Sequence, residues 1–205
     1  MRALLSGRPG LAVVEWVCSR WGARRPSARM EPIGLAARLY VEGGRVEDSR
    51  GFAEFYRSCR ALVYPALVAT LGDARLAQEA TDEALTRAAE RWSEVRGFER
   101  PVGWVYRVGV NWAMSWRRKL SLRPTRPSED LDRPQHDALP DVDLVHQLAL
   151  LPARQRQMLV LRYALGFSVA ETAQLLGVAT GTVKSGIHRA RQQLRDGQEV
   201  LDGRA

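Results

Sequence analysis

A run of hydroxyl, imidazole and basic side chains near the C-terminal end of the sequence could contact a polyanion. The run extends from Thr180 to Arg195 and contains no acidic residue. Such groups can hydrogen-bond to base edges in the major groove of DNA, and Lys or Arg can also bind its phosphates. The residues that we expect to contact duplex DNA are Thr182, Lys184, Ser185, His188, Arg189 and Arg191.

A helix-turn-helix would position these side chains. Ser168 and Glu171 have the spacing of a capping box, which starts a helix, and Gly177 suits the left-handed exit from it. A second helix is predicted from about Thr180, because its apolar residues recur on one stripe. That stripe consists of Val183, Ile187, Ala190 and Leu194. In this motif the second helix enters the major groove, whereas the alternative interpretation is a helical hairpin with a solvated basic face.

Another set of polar residues shares one face of a helix predicted from about Val102 to Leu120. Asn111, Ser115 and Arg118 recur there at helical spacing, beside Trp104. Aromatic, amide and basic groups side by side can hold unstacked bases. The two other tryptophans of this helix are Trp112 and Trp116. We predict that both belong to the core, because aromatic residues that recur on one side of a helix are usually buried.

Acidic residues cluster on a third predicted helix, from about Ala74 to Trp92. Asp73 is expected to cap its N-terminus, and its buried side is expected to consist of Leu76, Ala80, Ala84 and Ala88. Its acidic residues are Glu79, Asp82 and Glu83. They form either a solvated face or a docking surface for a basic partner. A further helix is predicted from Phe52, which Pro65 should kink or split.

Composition narrows the class of protein. The 205 residues carry a net charge of +8, which suits nucleic acid or an acidic membrane surface. The two cysteines form no CxxC motif, which argues against a disulfide framework or a zinc site and fits the cytoplasm. We therefore expect no metal and no cofactor. No apolar run is long enough to insert into a membrane, and no catalytic constellation is evident, so we expect no enzyme.

The elements predict an all-α fold of two small helical domains joined by a flexible linker. The linker is rich in proline and acidic residues and cannot bury enough surface to order itself. The predicted segments are an N-terminal extension with little order (1–50), a first domain (51–120), the linker (121–141), a helix-turn-helix domain (142–197) and a tail (198–205).

Two helical modules with these motifs resemble the extracytoplasmic-function (ECF) sub-family of bacterial sigma factors, the subunits that direct RNA polymerase to promoters. The second module is similar to the family's region four through LPARQRQMLVLRYALGFSVAETAQLLGVATGTVKSGIHRARQQLR. The first resembles region two, a helical bundle, through LGDARLAQEATDEALTRAAERW and PVGWVYRVGVNWAMSWRRK. The resemblance covers about residues 52–195.

The resemblance implies a role for each group of residues. The helix-turn-helix would bind the upstream promoter element, near minus thirty-five. The residues that would read and hold the melted downstream element, near minus ten, are Asn111, Ser115, Arg117 and Arg118. Those that would dock on core RNA polymerase are Gln78, Glu79, Asp82 and Glu83. Family members are usually held inactive by an anti-sigma factor, which we expect here as a further partner.

The sequence departs from the family at three positions. Asp82 stands where Gln is common, which affects one docking contact. Gly186 replaces the usual Arg in the recognition helix, which implies a lost phosphate or base contact. Ala179 replaces a capping Ser or Thr, so Thr180 is expected to cap one residue later. The alternative function is a stand-alone helix-turn-helix regulator that binds duplex DNA without polymerase.

Overall fold

The computed structural model describes residues 46–121 and 142–202, and these residues form helices without any strand. They belong to two compact units. The first contains α1 (Val46–Leu71), α2 (Ala74–Glu90), α3 (Trp92–Val95) and α4 (Pro101–Ser121). The second contains α5 (Val142–Ala149), α6 (Ala153–Leu159) with a π turn (Val160–Ala164), α7 (Val169–Leu176) and α8 (Thr180–Asp202). The predicted all-α class with two helical domains is confirmed, whereas most of the predicted extension, linker and tail lies outside the described residues.

Small residues bring the helices of the first unit close together. The predicted stripe of α2 is buried, and three of its four residues are alanines. On α4, a Cβ added to Gly109 would lie 2.8 Å from Leu67 Cδ1 and 3.2 Å from the carbonyl oxygen of Ala80. α1, α2 and α4 therefore meet at a point where a larger side chain at position 109 would not fit.

The ends of α1 and α2 follow from local chemistry. Gly72 has a φ of 69° and separates the two helices. Asp73 Oδ1 accepts a hydrogen bond of 2.9 Å from the backbone N–H of Leu76, so the predicted cap is confirmed. α1 starts at Val46, within the segment 1–50 for which the sequence predicted little order.

Of the two outcomes predicted for Pro65, a kink or a split of α1, the split does not occur. The helix continues through Pro65, which is buried. Proline deprives the carbonyl of the residue four positions earlier of its helical partner. That residue is Ala61, which is exposed, so water can hydrate its carbonyl without interrupting the helix.

The core face of α4 differs from the predicted one. Its buried residues are Val105, Tyr106, Gly109, Val110 and Ala113, and the Tyr106 hydroxyl lies 2.8 Å from Thr70 Oγ1. Trp112 is half-buried and Trp116 is 43% exposed, so the prediction that both belong to the core is wrong. The 3.6-residue period alone does not specify which side of α4 packs against α1 and α2.

In the second unit, arginines hold the ends of the short helices. Arg156 Nη2 donates to the carbonyl of Leu151 at 3.2 Å, just beyond α5. Arg154 Nη1 donates to the carbonyl of Leu176 at the end of α7, also at 3.2 Å. Carbonyls at helix C-termini lack helical partners, and cations stabilise them.

The predicted helix-turn-helix is present. Ser168 and Glu171 form the complete capping box at the start of α7, and Gly177 ends that helix with a φ of 65°. The Val183 stripe of α8 is buried along its whole length. The prediction that Thr180 caps α8 is wrong, because the carbonyl of Ala179 already accepts from the N–H groups of Thr182 and Val183 and makes Thr180 the first helical residue.

Candidate nucleic-acid interface

The buried stripe of α8 turns the opposite side of the helix towards solvent. Five of the six residues predicted to contact duplex DNA are exposed, namely Thr182, Lys184, Ser185, His188 and Arg189, and Arg191 is half-buried. Successive residues of a helix are separated by about 100°. Lys184, His188 and Arg191 therefore form one flank of the exposed face, whereas Thr182, Ser185 and Arg189 form the other.

From Thr180 to Arg195 the exposed face of α8 carries no carboxylate. Ser185 Oγ donates to the carbonyl of Thr182 at 3.2 Å, which keeps the hydroxyl on the helix surface. The acid nearest to the start of α7, Glu171, accepts a hydrogen bond of 2.6 Å from the backbone N–H of Ser168. The exposed face of α8 thus presents hydroxyl, imidazole and cationic donors, which suits a polyanion.

Two residues that the sequence did not single out adjoin this face. Arg162 and Tyr163 of the π turn line an open cavity of about 280 Å³ together with Lys184, His188 and Arg191. The guanidinium of Arg162 donates to the carbonyl of Phe167 at 3.2 Å. The sequence shows that Arg162 is basic, but its proximity to α8 depends on the tertiary packing and could not be predicted from the sequence.

Gly186 belongs to the packed side of α8. It is buried, and a Cβ added there would overlap with Met158 Sδ of α6. The interpretation of Gly186 as a lost DNA contact is therefore wrong, because a side chain at this position would enter the space of Met158. The sequence could not show which residue of α6 faces position 186.

The predicted polar face of α4 is open to solvent. Asn111 is exposed, Ser115 is half-buried, and Arg118 Nη2 donates to Ser115 Oγ at 3.0 Å. Trp104 is half-buried. The centroid of its ring lies 6.4 Å from that of Phe98 and 5.8 Å from Cζ of Arg91. Amide, hydroxyl, cationic and aromatic groups thus lie along one side of the helix.

Arg117 has a different environment from the other three residues of the predicted downstream set. Its Nη2 donates to the carbonyl of Leu71, the last residue of α1, at 2.8 Å. This contact ties the C-terminal part of α4 to the end of α1. The geometry gives Arg117 a structural role, and a contact of this residue with DNA stays a prediction.

Trp112 and Trp116 stack on each other beside that face. Their ring centroids are 5.7 Å apart and their planes differ by 7°. Residues four positions apart on a helix are neighbours, which explains the stacking. The pair exposes part of an aromatic surface next to the polar side of α4.

The predicted docking residues lie on the outer side of α2, where arginines of the same unit neutralise the three acidic ones. Glu79 and Asp82 are exposed, whereas Gln78 and Glu83 are half-buried. Arg75 lies 3.5 Å from Glu79, Arg87 lies 2.8 Å from Glu83, and Arg60 of α1 pairs with Asp82. The surface therefore alternates in charge, and neither the solvated face nor the docking surface considered from the sequence is excluded.

Neither a metal centre nor a membrane helix is found in the parts of the chain that the structure describes. Residues 46–121 and 142–202 contain no group of three His, Cys, Asp or Glu side chains that could hold a metal ion. Over the same residues, none of the helices combines the length and the apolar character needed to cross a membrane.

Comparison with protein families identifies the second unit. Residues 141–194 match the family described as Sigma-70, region 4. The match includes α5 to α7 and most of α8, and therefore all six residues of the predicted upstream interface.

Similar proteins of known identity are sigma factors. The RNA polymerase sigma-E factor of Streptomyces avermitilis is 35% identical over 135 residues, which cover 63% of this chain and 75% of that protein. The ECF RNA polymerase sigma factor SigM of Mycobacterium tuberculosis is 36% identical over 122 residues, which cover 58% of this chain and 62% of that protein.

A solved structure shares the fold. The sigma factor RpoE of Bartonella quintana, crystallised with the anti-sigma factor NepR, has a TM-score of 0.55 and 24% identity to this chain. The similarity covers 75% of this chain and 98% of that one, so it extends over both helical units.

Proposed function

Since the chain belongs to the ECF sub-family of bacterial RNA polymerase sigma factors, we propose that its two helical units divide promoter recognition between them. The second unit binds the upstream element as a duplex. The first docks on core RNA polymerase and holds the melted downstream element. This division requires both units to act within one holoenzyme.

The exposed face of α8 is the observation that carries the upstream assignment. It is the solvent side of a helix-turn-helix recognition helix, it bears basic, imidazole and hydroxyl groups, and it lies within the region four match. Such a helix places side chains from its N-terminal half against base edges, while Arg and Lys bind phosphates. We assign base contacts to Thr182, Lys184 and Ser185, and the remaining contacts to His188, Arg189 and Arg191.

The exposed face of α4 supports the downstream assignment. Asn111 is the single asparagine of the sequence, and it lies in the interior of a helix, where asparagine is intrinsically unfavourable. Its exposed amide, beside Ser115 and Arg118, can hydrogen-bond to a base that has left the stack. The alternative, which the experiment below tests, is that Asn111 is hydrated at the surface and has no role in binding DNA.

The outer side of α2 supports the docking assignment. Gln78, Glu79, Asp82 and Glu83 lie within two helical turns, and the Glu and Asp side chains form ion pairs at the surface. Exposed pairs of this kind are worth about 0–1 kcal/mol, so a basic surface of the polymerase can exchange them at little cost.

Control by an anti-sigma factor is part of the proposal. The Bartonella RpoE that shares this fold was crystallised with such a partner. We propose that an anti-sigma factor also holds this chain inactive, that the chain acts in the cytoplasm, and that it has no catalytic activity of its own.

Run-off transcription with purified core RNA polymerase and restriction-digested genomic DNA tests the proposal. We expect discrete transcripts only when this protein is added. With a promoter recovered in that way, Asn111→Ala should leave binding of the holoenzyme to duplex DNA within about twofold of the parent. It should lower the permanganate reactivity of the downstream strand about tenfold, because the hydrogen bonds of the Asn111 amide to an unstacked base are lost.

Glu54→Ala provides the matched control, because Glu54 is an exposed residue of the same unit outside the proposed surfaces. It should open the promoter as the parent protein does. Tight duplex binding by the protein alone, without any polymerase-dependent transcript, would instead establish the stand-alone regulator. If the Asn111→Ala and parent proteins open the promoter equally well, Asn111 has no role in promoter opening.

A further inference from the structure

Lysine is rare in this basic chain, and one of its lysines lies on the recognition helix. Of the 31 Lys and Arg residues, only Lys119 and Lys184 are lysines. An arginine guanidinium stays protonated, whereas the amine of lysine is a nucleophile once it is neutral and can be acylated. Among the Lys and Arg side chains of α8, Lys184 is therefore the one that an acylating agent can modify.

Lys184 lines the cationic cavity between the π turn and α8. The cavity has a volume of about 280 Å³ and opens to solvent, so a small molecule can enter it. Its other polar lining residues are Arg162, Tyr163, His188 and Arg191, and none of the lining residues carries a carboxylate. Drug-sized ligands occupy pockets of roughly 300–1,000 Å³, so this cavity suits a smaller anion.

Arg162 is held in place at the edge of this cavity. Its Nη1 donates to the carbonyl of Phe167 at 3.2 Å, and its Cζ lies 6.0 Å from the ring centroid of Tyr163. A guanidinium has five N–H donors, so the bond to Phe167 leaves others for a ligand. Since arginine binds phosphoryl groups through parallel N–H donors, the cavity can hold the phosphate group of a small molecule.

Apolar residues complete the lining of the cavity. Ile187 is buried and Val169, the first residue of α7, is half-buried. Their branched aliphatic side chains suit a methyl or another short acyl group. A molecule that joins a phosphate to a short acyl group thus matches both the cationic and the apolar parts of a lining that includes the amine of Lys184.

We propose that the cavity binds a small acyl phosphate and that Lys184 is acylated there without an enzyme. The neutral Nζ attacks the carbonyl carbon of the acyl phosphate, and an N–C bond forms. The C–O bond to the phosphoryl group breaks, phosphate leaves with the electron pair, and the proton lost by the nitrogen passes to it. The products are an amide on Lys184 and inorganic phosphate, so the step needs neither an oxidant nor a reductant.

Acylation removes one positive charge from the exposed face of α8. This consequence rests on the proposed function, in which that face binds the upstream element. Acetylation of Lys184 should weaken promoter binding by the holoenzyme about tenfold, because a charged hydrogen-bond donor is lost, and should make binding less sensitive to salt. The upstream interface would thus respond to the supply of acyl phosphate.

Treatment of the full chain with acetyl phosphate, followed by peptide mass spectrometry, tests the site. Lys119 is the internal reference, because it is exposed and follows two arginines but does not line the cavity. We expect Lys184 to be acetylated about tenfold faster than Lys119, because charge-assisted hydrogen bonds hold the reagent beside it. Inorganic phosphate at constant ionic strength should slow the reaction of Lys184 alone. Equal rates at the two lysines, or no protection by phosphate, would overturn the proposal.

Arg162→Ala and Arg154→Ala form a matched pair of variants. Each loses one positive charge and one hydrogen bond of 3.2 Å to a backbone carbonyl, but Arg154 does not line the cavity. Only Arg162→Ala should slow the reaction of Lys184 to the rate of Lys119, and thermal melting by circular dichroism verifies that each variant folds. Acetic anhydride, an acetyl donor without phosphate, should not distinguish the two lysines. A preference for Lys184 with this donor as strong as with acetyl phosphate would contradict the role of the cavity.

Promoter binding separates this inference from the proposed function. In a Lys119→Arg background, the acetylated protein is compared with Lys184→Arg treated in the same way, on a promoter duplex recovered by run-off transcription. If Lys184 is acetylated selectively but neither acetylation nor Arg189→Ala weakens binding, the acylation site stands and the upstream assignment fails. If Arg189→Ala weakens binding but Lys184 reacts no faster than Lys119, the acylation proposal is overturned and the upstream assignment stands. Binding that Arg189→Ala weakens and acetylation leaves unchanged would overturn the proposed consequence of the modification.

Discussion

Arg117 and Arg118 are adjacent in sequence, yet their guanidinium groups make different contacts. Arg117 reaches the carbonyl of Leu71 at the end of α1, whereas Arg118 lies on the exposed face near Ser115. Adjacent helical residues point about 100° apart, so one can serve the fold while the other faces a ligand. A basic run in a sequence therefore does not assign the same role to each of its members.

Replacing Arg117 by Ala should destabilise the first unit. A charged donor to a helix C-terminal carbonyl is lost, which we expect to cost about 1 kcal/mol of unfolding free energy. Arg107→Ala, which removes an exposed arginine of the same helix, should cost less than about 0.5 kcal/mol. Urea denaturation followed by tryptophan fluorescence measures both, and equal midpoints would show that the Leu71 contact does not stabilise the fold.

Cys59 provides a test of the first core. Burial raises the pKa of its thiol from 9.0 to about 12. The thiolate is the reactive form, so in a Cys18→Ser background Cys59 should react with a disulfide reagent at pH 8 only as fast as the unit opens. A complete reaction within the mixing time of the folded protein would contradict this expectation, and reaction in urea supplies the unprotected reference.

The same shift predicts how the stability of this unit depends on pH. Between pH 9 and 12 the unfolded thiol ionises while the folded one remains protonated. Because the unfolded state then binds fewer protons than the folded state, the unfolding free energy falls as the pH rises through this window. Cys59→Ala should flatten that part of the curve.

At the scale of elements, the close approach of α8 to α6 depends on Gly186. A Cβ at this position would already overlap with Met158 Sδ, which leaves no room for a longer side chain. Gly181, five residues earlier in α8, has no atom within 4 Å of its Cβ position. The two glycines therefore allow the same substitution to be compared in packed and open surroundings.

Gly186→Gln should lower the unfolding free energy of the second unit by about 1–3 kcal/mol, the usual cost of overpacking. Gly181→Gln should raise it by about 0.5 kcal/mol, because glutamine is the better helix former. Thermal melting by circular dichroism gives the sign of each change. A gain in both variants would show that Met158 moves aside freely.

The helix-turn-helix could be predicted from the sequence almost residue by residue, because its determinants are local. The capping box, the left-handed glycine and the apolar stripe each act within a few residues. The face of α4, the partner of Gly186 and the π turn beside the cavity could not be predicted, since each depends on which other helix packs there. The same holds for Arg60, which meets Asp82 from a different helix.

At the scale of the whole molecule, each unit has its own apolar core. Leu85 is fully buried in the first unit and Leu161 in the second. The sequence predicted two helical units, and the fold of the Bartonella RpoE, which covers 75% of this chain, agrees with that architecture. The sequence could not predict the ion pairs and the cavity on their surfaces.

Truncating a buried leucine should destabilise the unit that contains it. Leu85→Ala and Leu161→Ala should each cost about 2–5 kcal/mol. No tryptophan occurs after Trp116, so in a Trp16→Phe, Trp21→Phe background the fluorescence reports on the first unit alone. Only Leu85→Ala should shift the fluorescence midpoint, whereas circular dichroism should register both variants. A fluorescence shift in Leu161→Ala would show that the two cores unfold together.

If Glu79, Asp82 and Glu83 dock on polymerase as proposed, the arginines that already neutralise them should affect how assembly responds to ionic strength. A basic partner that takes over these carboxylates exchanges one ion pair for another, so few small ions are released to the solution. If α8 binds a promoter as proposed, it displaces the cations condensed on DNA, so that this binding should weaken steeply as salt rises. We therefore expect a rise in salt concentration to weaken promoter binding more steeply than binding to polymerase.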